Sequence, residues 1–169
     1  LCIHGHIYVP LWIPPYSHDS IMKSLRISCQ LFLYHTRTSE EKAFVAYFRG
    51  YVADLRKLYN RIYLVRNERE FHIYSFEDGE RFEPDYVLFL QRDKTDGFEQ
   101  LQIFIEPKGT QLLEKDAWKE KFLLQLRGEA IPITVFADDN NYKIWGLHFF
   151  NQEKRMKEFD EDFQTLIRQ

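Results

Sequence analysis

The stretch from Phe82 to Gly109 constrains this chain most. It reads Phe82-Glu83-Pro84-Asp85-Tyr86-Val87-Leu88-Phe89-Leu90, a polar decade, then Leu101-Gln102-Ile103-Phe104-Ile105-Glu106-Pro107-Lys108-Gly109. Asp96-Gly97 between the two apolar runs is a turn signal, so the segment is expected to fold back as an antiparallel hairpin. With Leu90 opposite Leu101, Asp85 falls opposite Glu106. Directly paired residues share a face, their Cβ atoms about 5 Å apart. Two carboxylates that close repel unless a cation or a proton joins them. Lys108 lies two residues past Glu106 and points to the same side if the strand persists. One face is thus expected to carry two acids and an amine. A slip of one residue would turn Asp85 to the other face.

Around this hairpin the chain reads as one α/β domain. Thr38-Ser39-Glu40-Glu41 is a helix start, with Thr38 as N-cap and Glu41 three residues later as a capping box. Phe44, Phe48, Tyr51, Leu55 and Leu58 follow at three- and four-residue steps, an amphipathic helix to about Asn60. Glu41 has two readings, a capping carboxylate or an accessory acid aimed at the hairpin from a neighbouring helix. Arg61 to Arg66 and Phe71 to Phe76 read as strands, with turns at Asn67-Glu68-Arg69-Glu70 and Asp78-Gly79.

After Gly109 a helix is expected from Gln111 to about Arg127. Leu113, Ala117 and Leu124 would form its buried side, and Gly128 would stop it. Its charges, Glu114, Lys115, Asp116, Lys119, Glu120 and Lys121, read as a mostly solvated face, although Lys115 or Lys119 could meet a phosphate. Ile131 to Ala137 and Tyr142 to Phe150 are two further strands around the turn Asp138-Asp139-Asn140-Asn141. Asn151 is expected to cap a last helix with Met156, Phe159, Phe163 and Leu166 facing in. The crossover helix would let the strand at Ile131 lie parallel to the one at Leu101. The expected architecture is a mixed sheet flanked by helices.

Residues 1–34 form an extension with two extended runs, Ile3 to Ile13 and Leu25 to Tyr34. Pro14, Pro15, Ser17 and Asp19 break them apart, and the runs suggest a hairpin. His4 and His6 alternate on one strand face and could chelate a metal, but no Cys, Asp or Glu stands at ligand spacing. Cys2 and Cys29 could pair, yet two cysteines make no disulfide framework and fit reduced, cytoplasmic thiols better. The apolar run from Ile7 to Ile13 ends at Pro14-Pro15, far short of the ~20 residues that span a bilayer, and no signal-peptide pattern precedes it. At 169 residues the chain is long enough for one real core. A start at Leu1 suggests a piece of a longer protein. The net charge of −3 lacks the basic surplus of a stand-alone DNA binder.

The face with two acids and an amine points to a particular chemistry. A divalent ion such as Mg²⁺ takes hard oxygen ligands, often one or two carboxylates plus waters. Asp85 and Glu106 supply two, and the backbone carbonyl of Pro107 could complete the set. Bound metal lowers the pKa of its water and stabilises charge on a scissile phosphate. Lys108 can orient the attacking water or neutralise the transition state. The alternative is a structural salt bridge between Asp85 and Lys108, which leaves Glu106 without a partner at the end of an apolar strand.

Pro84-Asp85 followed by Glu106-Pro107-Lys108, in a helix-strand-strand-strand-helix-strand order, resembles the PD-(D/E)XK nuclease superfamily and its restriction-endonuclease-like αβββαβ core. The runs Phe82 to Leu90 and Ile103 to Gly109, with Trp118-Lys119-Glu120 after them, look like the C-terminal endonuclease domain of type III restriction enzyme Res subunits. The resemblance covers roughly Ser39 to Phe150. It implies that Asp85 and Glu106 bind Mg²⁺ (or Mn²⁺), that Lys108 is the catalytic lysine, and that the substrate is double-stranded DNA. It further implies an ATP-dependent helicase motor in the same parent chain and a methyltransferase (Mod) subunit as partner. No phosphate-cradling Gly-x-x-x-x-Gly-Lys-Ser/Thr loop occurs here, so ATP would act only through a motor outside this sequence. Two alternatives stay open: a repair or recombination nuclease of the same superfamily, and a non-catalytic nuclease-fold binding module.

Overall fold

A computed structural model describes residues 2–3, 7–8, 38–69, 72–75, 80–128, 133–134 and 141–168. Helix α1 spans Ser39–Leu58. The Thr38 hydroxyl accepts the Glu41 N–H at 3.2 Å, and Glu40 and Glu41 sit in the first turn where the helix dipole favours acids. Phe44, Val45, Phe48 and Leu55 form its buried stripe, and the chain leaves the helix at Tyr59, whose N–H still bonds Leu55 O.

The main sheet has five strands in the order β3-β6-β7-β9-β8: β3 Arg61–Arg66, β6 Tyr86–Lys94, β7 Gly97–Ile105, β9 Asn141–Gly146 and β8 Ile133–Thr134. Among the described strands only the β7–β9 pairing is parallel, so the fold is α/β with a mixed sheet, as expected. A second, antiparallel sheet joins β1 Cys2–Ile3, β2 Ile7–Tyr8, β4 Ile73–Ser75 and β5 Arg81–Phe82. The strands on either side of Asn67 lie in different sheets: β3 pairs with β6, and β4 with β2 and β5. In the extension, the described pairing lies inside the first run, between Cys2–Ile3 and Ile7–Tyr8.

The hairpin formed by β6 and β7 has the expected register, Leu90 opposite Leu101. Gly97 adopts φ 123° at the turn, a conformation that costs a residue without Cβ little. Alternation then divides the core. Tyr86, Leu88, Leu90, Leu101, Ile103 and Ile105 face α1 and helix α3, Met156–Ile167. Val87, Phe89 and Phe104 face helix α2, Ala117–Gly128. The first layer is rich in rings: Phe44 meets Tyr86 at 5.1 Å and Phe150 at 5.5 Å, and Phe159 stacks on Phe163. Tyr47 and Tyr51 both donate to Asp160, tying α1 to α3.

Three expectations are corrected. Helix α2 begins at Ala117, not Gln111, because residues 110–112 form a 3-10 turn that reverses the chain over the sheet in fewer residues. Its buried side is Phe122, Leu123 and Leu126, while Ala117 is exposed and Leu124 half-buried. Leu113 is buried in the preceding turn and is out of phase with the helix. The strand parallel to β7 is β9, and β8 is antiparallel to β9 at the sheet edge. Because β8 and β9 are antiparallel to each other, both cannot lie parallel to β7. Lastly, Asn151 Oδ1 accepts the N–H groups of Glu153 and Lys154, so it caps the turn before α3, whose own N-cap is Arg155. His4, His6, Cys29, Leu25 to Tyr34, Asp78-Gly79 and Asp138 to Asn140 lie outside the described residues, as does most of Ile131 to Ala137.

Candidate active site

The site is built where the β6–β7 ladder ends. The last pair is Tyr86 with Ile105, a hydrogen-bonded one because the next backbone groups of β7 turn to β9. Two residues further in the same register, past Asp85 and Glu106, Pro84 falls opposite Pro107. Neither proline has an N–H, so the ladder stops there. Asp85 lies in a bend at this point, and its N–H donates to Glu106 Oε2 at 2.9 Å.

β7 does not lose its extended path at Pro107. Pro107 bridges Phe150 in parallel: the Phe150 N–H donates to Glu106 O at 3.0 Å and the Lys108 N–H to Phe150 O at 2.9 Å. Lys108 therefore keeps the face of Glu106. The backbone groups of Glu106 and Lys108 bond Phe150, beyond the end of β9, so alternation turns the carbonyl of Pro107 the other way, to the side of Asp85.

The structure brings Asp85, Glu106 and Lys108 together. Glu106 and Lys108 are only 4% and 8% exposed. Lys108 Nζ lies 2.7 Å from Glu106 Oε1 and 2.9 Å from Asp116 Oδ2, and 5.5 Å from the centre of the Phe149 ring. Burial pushes the Asp85 carboxyl up to about 7, reinforced by the charges of Glu106 and Glu41 and opposed by Lys108 and Arg66. Burial likewise pushes Glu106 up against the pull of Lys108. For Lys108, burial works against the ammonium, but Glu106 and Asp116 outweigh it and its pKa rises. Glu41 is 5% exposed, and its carboxylate lies 3.3 Å from Arg66 Nε. Its N–H donates to the Thr38 hydroxyl, its carboxylate pairs with Arg66, and its charge helps to raise Asp85.

These shifts fix a pH dependence. An unfolded Asp titrates near about 4. Between about pH 4 and 7 the folded protein therefore holds a proton on Asp85 that the unfolded chain has released. The native state binds more protons, so stability falls as pH rises through that window, by roughly 2–4 kcal/mol. Urea unfolding at both ends of the window, in chelator, should show that loss. Asp85→Asn should shrink it; an undiminished slope in that variant would assign it to other groups.

Several contributors escaped sequence reading. Asp116 and Glu120 sit among charges that read as a solvated face. Asp116 instead holds Lys108, and Glu120, 8% exposed, accepts the Phe149 N–H at 3.0 Å and meets Arg155 at 3.4 Å. Asn151 Nδ2 donates to Lys108 O at 2.8 Å and to Thr110 Oγ1 at 3.0 Å, which fixes the chain just after the lysine. Nothing in the local pattern marks these contacts, since the partners lie 8, 29 and 43 positions away.

The donors fit a hard divalent cation: two carboxylates whose burial disfavours their bare ionised forms, and the Pro107 carbonyl on the same side. Among the described residues no group of three His, Cys, Asp or Glu side chains is placed to hold a metal ion, so waters would complete such a shell. Among those residues, too, no helix is long and apolar enough to cross a membrane.

Fold and site together define an α/β domain with an acid-acid-lysine cluster at the end of a central hairpin. Residues 27–167 match the model of the family HI_1054_C, described as a C-terminal domain, and the chain belongs to that family. It is also similar to a Haemophilus influenzae protein described as uncharacterized, at 38% identity over 132 residues, covering 73% of this chain and 28% of that protein. The chain thus spans less than a third of that relative's length. No solved structure matches it.

Proposed function

We propose that this domain is a Mg²⁺-dependent endodeoxyribonuclease of the PD-(D/E)XK type. The observation that carries the reading is the convergence of Asp85, Glu106 and Lys108 where Pro84 and Pro107 end the ladder. The metal would supply an activated water and charge stabilisation at the phosphate. Asp85, Glu106 and the Pro107 carbonyl would hold it. The Lys108 ammonium would orient the attacking water and offset the negative charge that builds on the phosphoryl oxygens.

The rest of the reading follows the resemblance. The parent protein would be the restriction subunit of a type III restriction-modification system. It would carry a helicase motor in the same chain, pair with a methyltransferase subunit, and act on double-stranded DNA in the cytoplasm. The relative's greater length is compatible with such added domains. A repair or recombination nuclease would share the site but cut branched DNA without ATP or a methyltransferase.

One observation favours the non-catalytic alternative. Lys108 already pairs with Glu106 and Asp116, as a structural ion pair would. Cleavage of duplex DNA by the full-length protein with Mg²⁺, ATP and its methyltransferase separates the readings. Lys108→Ala should lower the rate by about 10²-fold or more. Equal cutting by the variant would remove the lysine from the chemistry, and absence of Mn²⁺ affinity in the wild type would favour the binding module.

A further inference from the structure

Lys108 has two acid partners, and they are not equivalent. Glu106 belongs to the proposed metal set. Asp116 lies just before α2, 2.9 Å from the Lys108 ammonium. Its backbone is held at both ends, its N–H by Leu112 O and its carbonyl by the Lys119 N–H, each at 2.9 Å. Its carboxylate also lies 3.6 Å from Lys119 Nζ, and that ammonium sits over the rings of Trp118 and Phe82. Asp116 is therefore a fixed acceptor rather than a loose surface charge.

A divalent cation on Glu106 would face the Lys108 ammonium, which is 2.7 Å from Oε1 of the same carboxylate. Two cations on one buried carboxylate repel strongly, because little solvent screens them. The ammonium must draw back. With Asp116 2.9 Å away it can do so without entering apolar surroundings and without leaving the site.

Resting on the metal reading above, we propose that Asp116 is a positioning residue: it takes over the Lys108 ammonium when a divalent cation occupies Asp85 and Glu106. Metal binding is then an exchange of ion-pair partners in which Lys108 keeps its proton. Lys108 stays charged and within reach of the phosphate.

The test is calorimetric titration of the full chain with Mn²⁺ near neutral pH. Wild type, Asp116→Asn, Lys108→Met and the double variant form a cycle. Asp116→Asn should weaken Mn²⁺ binding by roughly tenfold, as loss of a supporting partner does at other metal sites. Lys108→Met should bind at least as tightly as the wild type, since the competing cation is gone. In that background Asp116→Asn should change affinity by less than about threefold. Asp116→Glu should restore most of the affinity. Asp116→Ser gives a second measure of the same coupling if the Asn variant does not fold.

Equal weakening with and without Lys108 would overturn the proposal, because Asp116 would then act on the metal directly. No weakening in either background would overturn it too. Failure of the wild type to bind Mn²⁺ would bring down the metal reading and this inference together, an outcome distinct from both.

Discussion

Asp85→Asn is expected to abolish function while stabilising the metal-free protein. With the charge gone, the proposed metal loses a ligand, and cleavage should fall by about 10³-fold or more. The same substitution relieves the repulsion that Glu106 and Glu41 exert on a carboxylate that burial already disfavours. At about pH 8 in chelator the variant should therefore be more stable by roughly 1–3 kcal/mol. Few substitutions push stability and activity in opposite directions this way, and those that do mark sites strained for function. A structural Asp85 would behave otherwise. Its loss would destabilise the fold, and urea midpoints for the two proteins in chelator decide between the cases. Adding Mg²⁺ should reverse the order, because only the wild type gains from binding.

Gly146→Ala is expected to cost about 3–5 kcal/mol, or to prevent folding. Gly146 lies on β9 opposite Phe104, directly against the Leu123 backbone of α2. A Cβ there would stand 2.2 Å from the backbone oxygen of Leu123, and 2.6 and 2.7 Å from its carbonyl and α carbons. Backbone of a packed helix cannot move aside as a flexible side chain can. The helix would have to shift, and Asp116 and Lys119 with it, so cleavage should fall in whatever fraction still folds. Equilibrium unfolding of the variant checks this. A loss below about 1 kcal/mol would show that sheet and helix are not in the contact described.

The hairpin was legible because its information is local. Apolar runs around an Asp96-Gly97 turn signal marked the hairpin, and the structure shows the register that was assumed for it, which brings Asp85 beside Glu106. Helix α1 was legible for the same reason, from Thr38 as cap and the spacing of Phe44, Phe48 and Leu55. The second helix was misplaced by six residues because Leu113 continues an apparent helical period across a 3-10 turn. Which strand would lie beside β7 depended on how the chain re-entered the sheet after α2, and no residue pattern encodes that choice. Asp116 and Glu120 looked like surface charges because burial depends on what packs over a residue, not on its neighbours in sequence.

The sequence by itself determined the α/β class and the central hairpin with its two end acids, while the register that pairs them came from the structure. Those follow from side-chain alternation and from prolines that cannot donate to a ladder. Only the tertiary structure decided whether Lys108 would join them. The parallel bridge from Pro107 to Phe150 carries the extended backbone through the proline, and Asp116, Phe149 and Asn151 then close around the lysine. Long-range contacts of this kind form only when distant segments pack, so the amine's place beside the acids is a property of the folded chain.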